Sequence, residues 1–217
     1  KILGVELIDI VPRTGLGDDI LLSEDRNPNN NGARLLGVTS KPGAKLPAIA
    51  DAVKSGRVRA LITLGENPMR LGISAEQLQK LSAFIVMDIL SNTATEYATV
   101  VLPSLAFAEK RGSMINGDGR LQRLNRAVRA PGQARDDWEI LRDLIQACSG
   151  PNSIYSIEDV FRQMAEAVPQ LARLSLGKIG DLGIQIMKAQ ESPPPPIDLA
   201  VKNIEKAESE RPPGRSR

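Results

Sequence analysis

Apolar residues along this chain switch between a helical and an extended period, and the switches mark out its elements. From Leu46 they fall at helical spacing through Ile49, Ala52 and Val53, until Ser55-Gly56 ends the pattern. A continuous β-rich run follows, Val58-Arg59-Ala60-Leu61-Ile62-Thr63-Leu64. Ser74-Ala75-Glu76-Gln77 has the form of a capping box, in which hydroxyl and amide satisfy free N–H groups of a helix running to about Leu81. Ala83–Asp88 reads as a second strand and Thr99–Leu102 as a third, ended by Pro103, which cannot donate to a ladder. Strands separated by helix-length crossovers predict a parallel sheet covered on both faces, with residues 75–81 as the crossover helix. On that reading Ile62→Asp unfolds the chain, because it puts an unpaired carboxylate in a strand buried on both sides.

Further along, Asp136 or Asp137 caps a helix whose stripe is Trp138, Leu141, Leu144, Ile145 and Cys148, with Gly150 as its left-handed stop. Cys148 is therefore expected in the core. Ser156 opens another helix through Val160, Phe161 and Met164, closed by Pro169, and Leu171–Lys188 is apolar but loosely patterned. Pro193–Pro196 is a stiff spacer, Asp198–Ser209 a charged helical segment, and Arg211–Arg217 has nothing apolar to offset ordering entropy. The fold class expected is α/β, a mainly parallel Rossmann-like sheet with flanking helices and a helical, partly disordered C-terminal extension. Its divisions fall at 1–45, an irregular leading segment; 46–150, the α/β core; 151–192, a helical extension; and 193–217, proline spacer, charged helix and basic tail. That tail is either an arm that wraps a neighbour or a terminus without fixed structure.

Composition narrows the chemistry. With Cys148 alone and no histidine, the chain holds neither the four thiolates of an iron–sulfur cluster nor a zinc ligand set. The same lack removes any nucleophile that needs an imidazole base, so no catalytic and no metal-ligating residue is assigned. A net charge of +2 and 3% aromatic content give little grip on nucleic acid. A lone cysteine suits a reducing, cytoplasmic setting, and no run reaches the roughly 20 apolar residues of a membrane span.

Two segments remain that can bind. Gly65-Glu66-Asn67-Pro68 lies at the carboxyl end of the first strand, where open parallel sheets place their ligand crevice; it either faces a phosphate or simply turns the chain. Asp88, at the end of the next strand, could accept from guanine N–H groups or cap the following turn. Arg120, Arg123, Arg126 and Arg129, with Lys110 and Arg111, concentrate positive charge for a phosphate, an acidic partner or plain solvent.

Taken in order, Gly65-Glu66-Asn67-Pro68, Asp88, Thr93-Ala94, Ala98-Thr99-Val100-Val101-Leu102-Pro103, Glu109-Lys110-Arg111-Gly112, Asn116 with Gly119-Arg120-Leu121-Gln122, and Pro131-Gly132 with Asp137-Trp138 resemble the molybdopterin-oxidoreductase family. The chain departs from the family's pattern at Thr99, usually Asp, and at Ser113-Met114-Ile115. Asn27–Arg34 followed by Leu36-Gly37 is similar to the branch formed by the large iron–sulfur subunit of bacterial NADH:quinone oxidoreductase, respiratory complex I. That branch implies a redox-silent scaffold, with no cofactor here, iron–sulfur clusters in a preceding N-terminal region, and docking to the other subunits of a peripheral arm on the cytoplasmic face of the membrane. The other branch implies half of the molybdopterin-guanine-dinucleotide-binding region of a molybdenum enzyme such as a formate dehydrogenase. In either, Gly65, Glu66, Asn67, Asp88 and Thr93 match positions bordering the guanine dinucleotide. On the scaffold reading they are vestigial and the crevice is empty.

Overall fold

A computed structural model of the protein describes residues 5–18 and 20–188. Pro193–Pro196, Asp198–Ser209 and Arg211–Arg217 lie outside the described residues.

A short helix, α1 (Asn30–Leu35), precedes α2 (Leu46–Lys54), which carries Pro at its start and stops where Gly56 takes φ +74°. Then come β1 (Ala60–Leu64), α3 (Ala75–Gln79), β2 (Ala83–Asp88) and β3 (Val100–Pro103). The Ser74/Gln77 capping box forms as the sequence predicts. The three strands make a parallel sheet in the order β1-β2-β3, in register from Ala60↔Ala83 and from Ile85↔Val100. The α/β class and parallel pairing thus hold, with β1 starting two residues later than Val58 and β3 including Pro103, which sits at the free end of its ladder.

The expected burial on both faces does not hold. In register, Leu61 and Thr63 share a face with Phe84 and Val86, and that face closes under Ala50 and Val53 of α2 and Leu78 of α3. On the other face Ile62, Leu64 and Val100 are 38%, 46% and 43% exposed. The reason is position: β1 and β3 are the outer strands of a three-stranded sheet, so that Val101 of β3 is 45% exposed even on the face that α2 and α3 cover, whereas Met87 of the central β2 is 1% exposed on the other. Ile62→Asp therefore places its carboxylate at a partly wetted edge, and the expectation that it unfolds this chain is withdrawn.

A second layer follows. β4 (Gly112–Ile115) and β5 (Arg120–Leu124) pair antiparallel around Asn116-Gly117-Asp118-Gly119, and β6 (Ile184–Gln185) adds to β5. Gly119 is obligatory there: its φ is +78°, and a Cβ would lie 2.6 Å from the Met187 carbonyl oxygen. The helices are α4 (Asp137–Ser149) and α5 (Ile157–Ala167), the latter begun by Ser156 as expected. Ile115, Leu121, Phe161, Val168, Leu171, Leu176 and Ile179 form the core of this layer.

Two details of α4 differ from the sequence reading. Its most buried residue is Ile140, while Cys148 is exposed, because the helix meets the sheet through its first two turns and its last turn projects outward. Gly150 has φ +84° but ψ −176°, so the chain leaves extended rather than through a left-handed cap.

Candidate functional site

The site begins at the carboxyl edge of the parallel sheet. Beyond Leu64, Gly65 turns to φ +64° while its N–H still donates to the Met87 carbonyl at 2.8 Å, so the ladder continues one residue past β1. A Cβ at Gly65 would meet nothing within 4 Å; it is the backbone angle, with open space in front, that calls for glycine. Asn67 then caps the 3₁₀ turn Pro68–Leu71, its Oδ1 accepting from Met69 N–H at 2.9 Å. That fixes the amide, and its Nδ2 donates to Thr93 Oγ1 at 2.8 Å.

Thr93 comes from the loop after β2, which is held by its own side chains. Asp88 Oδ1 accepts from Ile89 N–H at 2.7 Å and Oδ2 from Asn92 Nδ2 at 3.0 Å. Asn92 Oδ1 in turn accepts from Ala94 N–H at 2.8 Å, and Ala94 is fully buried in the first core. Short polar residues bonding to backbone two positions on are what stabilises such a turn. The result is an open shelf on which Asn67 and Thr93 touch, Gly65 lines the floor and Asp88 faces its own turn.

Glu66 is met from far away in sequence. Arg13 Nη2 donates to Glu66 Oε1 at 2.5 Å, and Arg13 is held by its own N–H bonding to Asn27 Oδ1 and by Arg26 N–H donating to its carbonyl. Sequence reasoning missed this residue, since nothing local marks an arginine whose partner is 53 positions on. The pair changes the electrostatics of the shelf: of its two carboxylates, Glu66 has a counter-ion and Asp88 accepts hydrogen bonds. With Arg13 and Glu66 exposed by 52% and 27%, the pair adds at most about 1 kcal/mol of stability. Asn92 was missed as well, although Asp and Asn four residues apart after a strand are a turn signal.

Most of the basic run is engaged internally, while Arg129 is exposed. Arg120 donates to the Leu182 carbonyl, Arg123 to Asp181, Arg126 to Asp136, Lys110 to Asp137 and Arg111 to Glu158. These charges tie β5 and the segment before β4 to α4, α5 and the loop before β6. The departures from the family pattern are likewise structural: Thr99 Oγ1 accepts from Phe84 N–H at 2.9 Å, an acceptor's task that Asp would also perform, and Ser113-Met114-Ile115 lie within β4.

Among the described residues, no group of three or more Cys, Asp or Glu could hold a metal ion. What the shelf offers is a set of acceptors and donors for a polar ligand: the carboxylates of Asp88 and Glu66, the Asn67 amide, the Thr93 hydroxyl and backbone at Gly65.

Residues 23–147 match the family model described as molybdopterin oxidoreductase. The chain is 35% identical over 148 residues to the F420-dependent formate dehydrogenase 2 subunit alpha of Methanococcus maripaludis, an alignment covering 65% of this chain and 22% of that one. It is 37% identical over 150 residues to the NADPH-Fe(3+) oxidoreductase subunit alpha of Geobacter sulfurreducens, covering 64% and 18%, and 25% identical over 158 residues to formate dehydrogenase H of Escherichia coli, covering 70% and 22%. The chain spans about a fifth of the length of these curated relatives.

Proposed function

Because the chain belongs to the molybdopterin oxidoreductase family, we propose that its shelf is one wall of the guanine-dinucleotide end of a molybdenum cofactor site, within an oxidoreductase of the formate dehydrogenase kind. The observation that carries this reading is the joining of residues 26 positions apart, Asn67 and Thr93, beside Asp88 and an open Gly65, at the sheet edge where such ligands bind. The relatives named formate dehydrogenase and Fe(3+) oxidoreductase alpha subunits support it over the redox-silent scaffold of complex I. The departures at Thr99 and 113–115 do not weigh against it, since each serves backbone or hairpin rather than the shelf.

The residues fit the nucleotide end of the cofactor and not its metal end. Guanine presents N–H donors on one edge. Of about four acceptor sites on Asp88 three are used, by Ile89 N–H, a long bond from Leu90 N–H and Asn92 Nδ2, leaving Oδ2 with capacity to receive one of those donors. Asn67 and Thr93 supply an amide and a hydroxyl beside it, and the Gly65 turn leaves room for phosphate oxygens. Arg13 stands over Glu66 and offsets the charge that would otherwise repel a diphosphate. When bound, such a cofactor supplies the two-electron redox chemistry; this part of the chain holds and orients it.

Isothermal titration of GDP into the protein tests the reading. Saturable binding, weakened roughly ten- to a hundredfold by Asp88→Ala as loss of a hydrogen bond to a charged group predicts, and absent for ADP, is the expected result. A flat titration returns the crevice to the empty state that the scaffold reading implies.

A further inference from the structure

Asparagine followed by glycine is prone to react with its own backbone, because a residue without a Cβ leaves its nitrogen open to the preceding side chain. The chain has two such pairs, Asn31-Gly32 and Asn116-Gly117. The fold brings them into contact: Asn31 Nδ2 donates to the Asn116 carbonyl at 2.7 Å and to the Gly117 carbonyl at 3.2 Å. Their surroundings differ. Asn31 lies inside α1, is 5% exposed, and has both side-chain ends bonded, its Oδ1 accepting from Arg34 Nη1 at 3.3 Å. A helical side chain leans toward the N-terminus, away from the nitrogen that follows it. Asn116 stands at the β4–β5 turn. Its Oδ1 accepts from Arg120 N–H at 2.9 Å, a donor placed to bear part of any charge that builds on that oxygen. Its Nδ2 has no hydrogen-bond partner among the described residues, and neither has the Gly117 N–H. Gly117 is exposed, and a Cβ built there would meet nothing within 4 Å.

We propose that Asn116-Gly117 is a site of spontaneous deamidation, from which the fold spares Asn31-Gly32. The Gly117 nitrogen, giving up its proton to hydroxide, bonds to Asn116 Cγ. The Cγ–Nδ2 bond breaks, Nδ2 takes up a proton and leaves as ammonia, and a cyclic succinimide remains. Water then adds to either ring carbonyl and opens it, to aspartate or to isoaspartate. In isoaspartate the main chain runs through the former side chain and is longer by one carbon. The Asn116 carbonyl, which receives both Asn31 Nδ2 and Gly119 N–H, then becomes part of a free carboxylate. The closure of the turn on Arg120 is lost with it, so the product differs from the parent at the joint between the hairpin and α1. The hairpin contributes no residue to the shelf, and the proposal stands apart from the cofactor reading.

Peptide mapping of the protein expressed from its complete reading frame, aged at mildly alkaline pH and digested in acid, tests the assignment. In the native state Asn116 is expected to convert at least several-fold faster than Asn31, yielding aspartate and isoaspartate together. The rate should rise with pH, because the Gly117 nitrogen must lose its proton. In urea the two sites are expected to react alike, since only the fold separates them. Gly117→Ala, whose Cβ meets open space at a backbone angle outside the left-handed region, should slow the loss of Asn116 several-fold. Native conversion of Asn31 as fast as that of Asn116, an Asn116 that stays intact, a product free of isoaspartate, the same disparity in urea, or an unchanged rate in Gly117→Ala would each overturn the proposal.

Discussion

Asp136, at the start of α4, is a carboxylate placed against its own interest. It is 5% exposed, its Oδ1 has no hydrogen-bond partner, and its Oδ2 is reached by Arg126 at 3.2 Å. Burial pushes its pKa up; Arg126 and Lys110 pull the other way, and Glu139 and Asp137 add to the rise. The folded chain thus holds this proton more tightly than the unfolded chain, so stability falls as pH rises through the window between the ordinary value of 3.8 and the raised one. Asp136→Asn cannot titrate. The wild type is therefore expected to lose Tm relative to that variant as pH climbs from the acid range to neutrality; a wild type that gains on it would mean the Arg126 pair outweighs desolvation. At this scale the sequence was legible where function follows from a neighbour in the chain, as at the Ser74 and Ser156 caps or the Asn67 turn. It was opaque where a partner is remote, as for Arg13 over Glu66, and where helix phase alone had to choose between Ile140 and Cys148.

Elements were easier to find than their surroundings. Three strands emerge from apolar runs bounded by turn residues, and the parallel order follows from helix-length crossovers. An aliphatic run reads the same in a central strand as in an outer one, and this is why two-sided burial is expected of β1 and not found. Substitution separates the cases within the 217-residue chain. Val86→Asp, at a site with no exposure, is expected to abolish the cooperative thermal transition, whereas Ile62→Asp should retain it with a modestly lowered midpoint. If both variants unfold, β1 is covered after all. The β4–β5 hairpin is absent from the sequence-based elements because its residues read first as a family pattern. Asn116-Gly117-Asp118-Gly119 between Met114-Ile115 and Leu121 is itself a strong hairpin signal, and Arg120 N–H donating to Asn116 Oδ1 at 2.9 Å shows the asparagine closing the turn.

Among the described residues lie two cores with no residue in common, one beneath the parallel sheet and one between the hairpin and α5. The second layer is held to α1 and to the start of α4 by polar contacts. Asn31 Nδ2 donates to the Asn116 carbonyl at 2.7 Å, Asn29 Oδ1 accepts from Ile115 N–H at 2.9 Å, and Lys110 pairs with Asp137, with Leu35 of α1 packing on the second core. The composition gave no warning of this division, because helices and strands of both layers draw on the same aliphatic residues and only long-range packing sorts them. With no residue shared between them, each core should be able to open before the other. Phe161, 2% exposed at the centre of the second core, is the place to test this. Phe161→Ala removes about 3–5 kcal/mol of packing. Native-state amide exchange should then speed up at Ile115, Leu121, Leu171 and Ile179, while Phe84, Val86 and Met87 in β2 keep their protection. Equal acceleration in both groups would mean that the two cores open as one cooperative unit, and the shelf at the end of β2 would then share the fate of the hairpin whenever either core is disturbed.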